Sequence, residues 1–464
     1  MAAAASATGG KVRLVDRCID AAARDAATVE AWRRQRRSLE HLPAPLADAL
    51  FRRLAERRSS SPPSSRCSSG RWRRSTSADL SPWTRSGCRT SDRSGMNTLK
   101  ELDLSRCTKI SDAGLRHVLT IQSLEKLHLS GTRLTDNGVK LISLLTNLSF
   151  LDLGGIPITD KTLRSLQVLT RLEHLDIWGS EITNGGASVL KAFTRLRFLN
   201  LYWTSVNHLS VPPSMRCLNM SKCNIRSICY EDSEVPAALE NLIVSEAEFG
   251  NIDQHIAKIG AELKYLSLKG TGITSQALCV LAGTVPNLTS LSLSHTKIDD
   301  SALAYISMMP LLRTVDLSHT SIKGFALTEA NVDKMLSMSA FEHLKYLESL
   351  NLEDTPLSAE VIPPLGSFAA LKYLYLKSDF LSDSALNALS AASNLIHLGF
   401  CGNILSSSGL LEFVPPVTLC VLDLSGCWIL TGDVVSTFCK RHPMIEVRHE
   451  LMQEVKQIVL LVIV

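Results

Sequence analysis

The chain has 464 residues, 45% of them hydrophobic, so it is long enough to bury a large core. Its formal charge of +4 is unevenly placed: residues 1–95 hold 19 Lys and Arg against 9 Asp and Glu, whereas residues 96–464 hold 30 against 36. The 12 cysteines include no C-x-x-C pair, and no His cluster has metal-ligand spacing, so we expect neither a metal nor another cofactor. The start "MAAAASATGG" lacks the apolar core of a secretory signal, and we expect reduced thiols in the cytoplasm or nucleus.

Residues 1–10 are predicted to be disordered, and residues 11–57 are predicted to form helices that bind an adaptor or cap the following domain. Apolar residues recur at helical spacing in two segments, and Pro43 is a favourable first-turn residue for the second helix. The two stripes consist of Leu14, Cys18 and Ala22, and of Leu42, Pro43, Leu46 and Leu50.

Residues 58–95 are rich in Ser, Arg and Pro and contain a single leucine. This composition predicts a disordered linker. Its two tryptophans and two cysteines favour a second hypothesis, in which a frameshift in the gene model has replaced a leucine-rich segment.

Residues 96–451 contain a pattern that recurs 14 times, mostly at steps of 24 or 25 residues, and residues 452–464 form a tail. Each unit reads L-x-x-L-x-L-x-x-[C/T/S/N]-x-[I/L], as in "LKELDLSRC" at 99 and "LEKLHLSGT" at 124, followed by a turn and an apolar helical run. The units begin at residues 99, 124, 148, 172, 196, 215, 239, 263, 288, 312, 347, 371, 395 and 419, and a partial strand, "IEVRHE", follows at 445. The tail "IVLLVIV" is too short to span a bilayer, and we expect no membrane contact.

The alternating leucines predict a short strand with one buried face, and the helical run has its own apolar stripe. One unit cannot bury both alone, so the units must stack into an α/β solenoid with a parallel sheet. The ninth position of a unit carries small polar residues such as Thr132 and Cys107, which we expect to bond the backbone of the turn.

Two units depart from the common length. The fifth has 19 residues, and Pro212 and Pro213 exclude a regular helix there. The tenth has 35 residues, and we expect roughly one extra helical or loop turn in it.

Strand positions three, five and seven should line the concave face of the solenoid. In units three to five these positions carry aromatic rings beside carboxylates, a combination that favours a protein-binding surface. The predicted target-binding residues are Phe150, Asp152, His174, Asp176, Trp178, Phe198, Asn200, Tyr202 and Trp203. The alternative is that some of these rings pack under neighbouring strands or against the irregular fifth unit. A second, weaker surface comprises Tyr265, Tyr373, Tyr375 and Lys377.

These repeats resemble the leucine-rich repeat superfamily in its cysteine-containing, ribonuclease-inhibitor-like class. The resemblance implies a curved horseshoe with parallel strands on the concave face, helices on the convex face, and an N-terminal helical segment. No G-x-S-x-G, glycine-rich phosphate loop or H-E-x-x-H motif is present, so we expect a protein without enzymatic activity. The basic "RRQRR" run is of a kind found in nucleic-acid-binding segments, but no aromatic residues interleave with it. We therefore expect no nucleic-acid partner.

The pattern carried by Leu14, Cys18 and Ala22 resembles an elongin-binding box, and "LPAPLADAL" resembles the companion cullin box, as in von Hippel-Lindau-box receptors of the zyg family. The second segment is also F-box-like, as in plant F-box receptors with leucine-rich repeats. Both resemblances imply the substrate-recognition subunit of a cullin-RING ubiquitin ligase, with an elongin-like or Skp-like adaptor, a cullin and an unknown protein target as partners. The alternative is a leucine-rich repeat scaffold or inhibitor whose N-terminal helices only cap the solenoid.

Overall fold

The computed structural model describes residues 99–108, 110–230, 239–250, 252–327 and 334–451. The chain divides into two compact units, with the boundary between Val206 and Asn207. The predicted N-terminal helices, the linker and the tail at 452–464 lie outside the described residues.

The first unit is built from parallel three-residue strands, each at positions three to five of a repeat. Leucines stand opposite one another in neighbouring strands, as Leu127 and Leu151 do. The strands are Glu101–Asp103, Lys126–His128, Phe150–Asp152, His174–Asp176 and Phe198–Asn200. Their register follows the repeat length, because a step of 24 or 25 residues returns the chain to the same strand position.

Short helices alternate with these strands and cover the buried side of the sheet. In the third repeat Leu163, Leu166 and Leu169 are fully buried along one helical stripe, facing the strand leucines of the same core. The α-helices are Asp112–Val118, Asp136–Lys140, Asp160–Ser165 and Asn184–Ala187, and the 3-10 helices are Leu141–Leu144, Leu166–Val168 and Ser188–Ala192.

The second unit has the same order of elements. Its repeat strands are Cys217–Asn219, Asn241–Ile243, Tyr265–Ser267, Ser290–Ser292, Thr314–Asp316, Ser349–Glu353, Tyr373–Lys377, His397–Gly399, Val421–Asp423 and Glu446–Arg448. The α-helices are Ile252–Ile259, Ser275–Ala282, Ser301–Ser307, Asp383–Ala388, Ser407–Glu412 and Gly432–Arg441, and the 3-10 helices are Ser337–His343, Ala359–Val361, Pro363–Ser367 and Leu389–Ala391. The predicted leucine-rich repeat solenoid is confirmed in each unit, including the partial strand after residue 445.

The small polar residue at position nine bonds the backbone where the chain leaves the strand, as predicted. The Thr132 hydroxyl donates to the carbonyl oxygen of Leu129 at 2.8 Å, and the Thr204 hydroxyl donates to that of Leu201 at the same distance. Asn403 and Cys427 use the carbonyl of the preceding repeat's strand instead. These bonds satisfy buried carbonyls that would otherwise destabilise the turns. Ser180 is an exception to the prediction, since its buried hydroxyl oxygen has no hydrogen-bond partner within the described residues.

Acidic residues at helix starts join consecutive repeats of the first unit. Asp160 accepts hydrogen bonds from the backbone N–H of Thr183 at 2.8 Å and from its hydroxyl at 2.6 Å. Asp112 bonds Thr135 of the next repeat in the same way. Each carboxylate therefore fixes the entry of the following helix.

The two irregular repeats contain strands outside the repeat positions. In the fifth repeat His208–Val211 pairs in parallel with Ser227–Tyr230, consistent with the two prolines that exclude a helix. In the tenth, where we expected roughly one extra helical or loop turn, Phe325–Leu327 and Lys334–Leu336 pair as antiparallel strands ahead of the 3-10 helix Ser337–His343. Gly324, with φ of +85°, precedes the first of these strands and supplies a backbone turn that other residues adopt at a cost.

Among the residues that the structure describes, no helix is both long enough and apolar enough to cross a bilayer.

Candidate protein-binding surface

Positions three, five and seven of the repeats in the first unit point away from the leucine core. In repeats three to five their side chains are half-buried, whereas the leucines between them are fully buried. We call this surface the aromatic–acidic face, and it consists of Phe150, Asp152, His174, Asp176, Trp178, Phe198, Asn200 and Tyr202. The structure therefore brings eight of the nine predicted target-binding residues onto one side of three neighbouring strands.

Position three forms a continuous row of stacked rings. The Phe150 and His174 ring centroids are 3.9 Å apart with planes inclined by 13°, and those of His174 and Phe198 are 3.9 Å apart at 3°. Burial, with a smaller contribution from the nearby His128, lowers the pKa of His174 to about 4. The imidazole is therefore neutral near pH 7 and behaves as a third aromatic ring in the row.

The row begins one repeat earlier than the sequence predicted. The His128 ring lies 4.4 Å from the Phe150 ring with the planes inclined by 36°, so it adds a tilted fourth ring to the row. The sequence contained a signal for this extension, because His128 occupies position five of its repeat and so lies on the same face as Asp152 in the next repeat.

Position seven forms a second aromatic row of Trp178 and Tyr202, whose rings meet edge to face at 6.4 Å. Trp178 lies across the backbone of the preceding repeat: a β-carbon built on Gly154 would fall 1.9 Å from the indole Nε1. Trp178 therefore packs on the neighbouring repeat while its side chain stays half-exposed. Gly154 thus positions the Trp178 indole, a role that was not predicted from the sequence. The spacing of Gly154 and Trp178, one repeat length apart at position seven, is the signal that would have indicated it.

A row of carboxylates lies at position five, between the two aromatic rows. Asp152 accepts a hydrogen bond from the backbone N–H of Gly154 at 3.0 Å. Asp176 accepts one from the backbone N–H of Trp178 at 3.2 Å and one from the Asn200 side-chain amide at 3.1 Å. No Lys or Arg side chain within the described ranges forms an ion pair with either carboxylate.

These carboxylates are held in an environment that disfavours their charge. Burial raises the pKa of Asp152 to about 6, and the neighbouring carboxylates of Asp176 and Asp103 add to the increase. Burial also raises the pKa of Asp176, although the hydrogen bonds from Asn200 and Trp178 act in the opposite direction. With a pKa of about 6, the Asp152 carboxylate is largely ionised at pH 7, and neither carboxylate has a positive partner among the described residues.

Trp203 differs from the other predicted residues in exposure and backbone. It is 65% exposed, and its φ is +56°. The eighth position of other repeats in the first unit has the same left-handed backbone, occupied by glycine at Gly131, Gly155 and Gly179 and by Arg106 in the first repeat. A large side chain in this conformation is strained, and such strain persists where another requirement favours the residue.

The second predicted surface is not brought together as one site. Tyr373 and Tyr375 both lie near His397, with ring centroids 6.4 and 5.1 Å away. Lys377 is paired with Asp354 at 2.9 Å. Tyr265 lies four strands from Tyr373 in the sheet of the second unit, roughly 19 Å away at the usual strand spacing.

The predicted adaptor-binding residues Leu14, Cys18, Ala22, Leu42, Pro43, Leu46 and Leu50 lie outside the described residues. Within the described residues, no group of three His, Cys, Asp or Glu side chains is arranged to hold a metal ion.

Comparisons with known proteins agree with this architecture. The family model described as "Leucine Rich repeat" matches residues 95–117, 120–143 and 286–307. A search of curated proteins found no match. Among solved structures, the chain is similar to an internalin of Listeria monocytogenes, with 22% identity and a TM-score of 0.51 over 73% of this chain and 94% of that one. It is also similar to a leucine-rich repeat protein of Leptospira interrogans, with 16% identity and a TM-score of 0.49 over 76% of this chain and 96% of that one. The likeness to the internalin shows the fold, a leucine-rich repeat solenoid.

Proposed function

We propose that this chain is a recognition protein that holds a target protein on the aromatic–acidic face, as the substrate-recognition subunit of a cullin-RING ubiquitin ligase. The observation that supports target binding is the pair of aromatic rows that flank two half-buried carboxylates, Asp152 and Asp176, across three successive strands. Aromatic side chains dominate the binding energy of protein interfaces, and the exposed Trp203 stands at the edge of this surface. The chain would supply proximity, and the chemistry of ubiquitin transfer would belong to the recruited partners.

The ligase assignment is supported by the N-terminal sequence. The stripes that contain Leu14 and Cys18, and Pro43 and Leu46, match the patterns of adaptor-binding and cullin-binding helices. An amphipathic helix of this kind binds by placing its apolar face in a groove on the partner. An elongin-like or Skp-like adaptor and a cullin are the corresponding partners, and a scaffold or inhibitor with capping helices is the alternative.

Affinity purification of the full-length chain tests the ligase assignment. The variant combines Leu14→Ser, Pro43→Ala and Leu46→Ser, and the control carries Leu144→Ser, which replaces a leucine that is 57% exposed in the first unit. We expect the wild type and the control to recover a cullin and its adaptor, and the variant to recover neither. A wild-type chain that recovers no cullin would contradict the ligase assignment and favour the scaffold or inhibitor.

Quantitative mass spectrometry of the same purifications tests target binding. Trp203→Gly removes the exposed ring at the edge of the aromatic–acidic face, and Trp428→Ala removes a matched ring that is 78% exposed in the second unit. We expect the target to be recovered by the wild type and by Trp428→Ala, and to be depleted with Trp203→Gly. Equal recovery of every partner by Trp203→Gly would show that this surface does not hold the target.

A further inference from the structure

The arrangement of the aromatic–acidic face restricts the chemistry of the segment that it can bind. Positions three and five lie on one face of each strand, roughly 6.7 Å apart. Position seven follows in the turn beyond the strand, where its backbone N–H donates to the position-five carboxylate. The carboxylates of Asp152 and Asp176 therefore form the floor of a shallow channel. Its walls are the Phe150, His174 and Phe198 stack on one side and Trp178 with Tyr202 on the other.

The floor of this channel lacks a described positive partner, as does the position-five carboxylate of Asp316 in the second unit, whereas acidic residues at positions two and three of other repeats are paired with lysines. Glu101 is paired with Lys126 at 3.3 Å in the first unit, and Glu240 is paired with Lys264 at 2.9 Å in the second. The raised pKa of Asp152 is consistent with this difference, because a nearby cation would lower it. A bound cation would therefore complete an arrangement that is electrostatically unbalanced in the isolated chain.

We infer that the aromatic–acidic face recognises a target segment through an arginine side chain, which enters between the two aromatic rows and bonds Asp152 and Asp176. This inference rests on the proposed role of the face in target binding. The guanidinium group is planar and stacks on aromatic rings, which suits the ring-lined walls. Its five N–H donors fit two carboxylates on strands about 4.8 Å apart, whereas a lysine ammonium supplies charge without a planar surface. An apolar segment would bury these carboxylates without a partner and would be disfavoured.

Selection of peptides tests the inference without knowledge of the target. The immobilised full-length chain is used to select from a random dodecapeptide library displayed on phage. We expect arginine to be enriched in the selected peptides relative to the unselected library. A selection that enriches neither arginine nor lysine, or that recovers no binder, overturns the inference. One that enriches lysine in place of arginine overturns the assignment to a guanidinium group.

The best selected peptide is then synthesised with arginine and with citrulline, which keeps the shape of the side chain but removes its charge. Binding is measured to the wild type, to Asp152→Asn with Asp176→Asn, and to a control with Asp316→Asn and Asp423→Asn. The control changes two position-five carboxylates of the second unit. Asparagine retains the acceptor oxygen for the backbone bonds of residues 154 and 178, and circular dichroism melting checks that each variant is folded.

Loss of charge-assisted hydrogen bonds typically weakens binding by about ten- to a hundredfold. We expect citrulline to weaken binding to the wild type and to the control by such a factor, and to change binding to Asp152→Asn with Asp176→Asn by less than about twofold. An equal citrulline effect on all three chains would place the arginine elsewhere and overturn the inference. This outcome is distinct from failure of the proposed ligase role, which is judged by recovery of a cullin.

Discussion

Replacement of Trp203 by glycine is expected to leave the fold almost as stable as before while it weakens target binding by roughly thirtyfold or more. A left-handed backbone costs a residue other than glycine roughly 1–2 kcal/mol, and glycine loses about 0.5–1 kcal/mol more backbone entropy on folding. Relief of the strain at φ of +56° therefore stabilises the glycine variant by about 0.5–1 kcal/mol. Since Trp203 is 65% exposed, loss of its buried part costs about 1–2 kcal/mol at 25 cal/mol per Å².

These contributions nearly cancel, so we expect the free energy of unfolding of Trp203→Gly to lie within about 1.5 kcal/mol of the wild type. Truncation of a buried tryptophan typically costs about 3–5 kcal/mol. Binding should respond differently, because loss of an aromatic anchor in an interface costs about 2 kcal/mol or more, roughly a thirtyfold decrease in affinity.

Comparison with alanine makes this reasoning refutable. Trp203→Ala loses the same contacts but keeps the left-handed strain, so it should be less stable than Trp203→Gly by about 0.5–1 kcal/mol. At Trp428, where φ is not positive, the order should be reversed or equal. Equilibrium unfolding in urea, followed by far-ultraviolet circular dichroism, measures all four variants. If Trp203→Ala were as stable as Trp203→Gly or more so, the strain at this position would be refuted.

Three further outcomes follow from contacts in the first unit. The pKa of Asp152 is raised from 3.8 to about 6, so its ionisation opposes folding above pH 6 and does not do so below pH 4. Asp152→Asn should therefore raise the unfolding free energy at pH 7.5 by at most about 3 kcal/mol. Urea titrations at pH 4 should show no gain in stability. Asp160→Ala removes both hydrogen bonds to Thr183 and should lower the unfolding free energy by about 1–2 kcal/mol, whereas an unchanged urea midpoint would show that the carboxylate does not couple these repeats. Gly154→Ala places a β-carbon against Trp178, so it should lower the unfolding free energy by about 1–3 kcal/mol in thermal and urea unfolding and reduce target recovery. A variant equal to the wild type in both measurements would contradict the packing of this indole on the glycine.

The candidate surface could be located from the sequence, but its geometry could not. Strand alternation was enough to place Phe150, His174 and Phe198 on one face, because position three of every repeat shares an orientation. The stacking of their rings at 3.9 Å depends on side-chain rotation and strand spacing, which no single repeat specifies. The extension of the stack to His128 depends on contact between position five of one repeat and position three of the next.

The sequence by itself determined the repeat architecture. A leucine at positions one, four and six must be buried, and a regular step of 24 or 25 residues allows neighbouring strands to pair in a fixed register. It did not determine the hairpin in the tenth repeat, because that segment departs from the pattern and nothing in it repeats. Tertiary structure alone decided the electrostatics of the candidate surface. The raised pKa of Asp152 and the packing of Trp178 on Gly154 both depend on contacts between residues about 24 positions apart. Their size is set by how closely the stacked repeats bring those residues together.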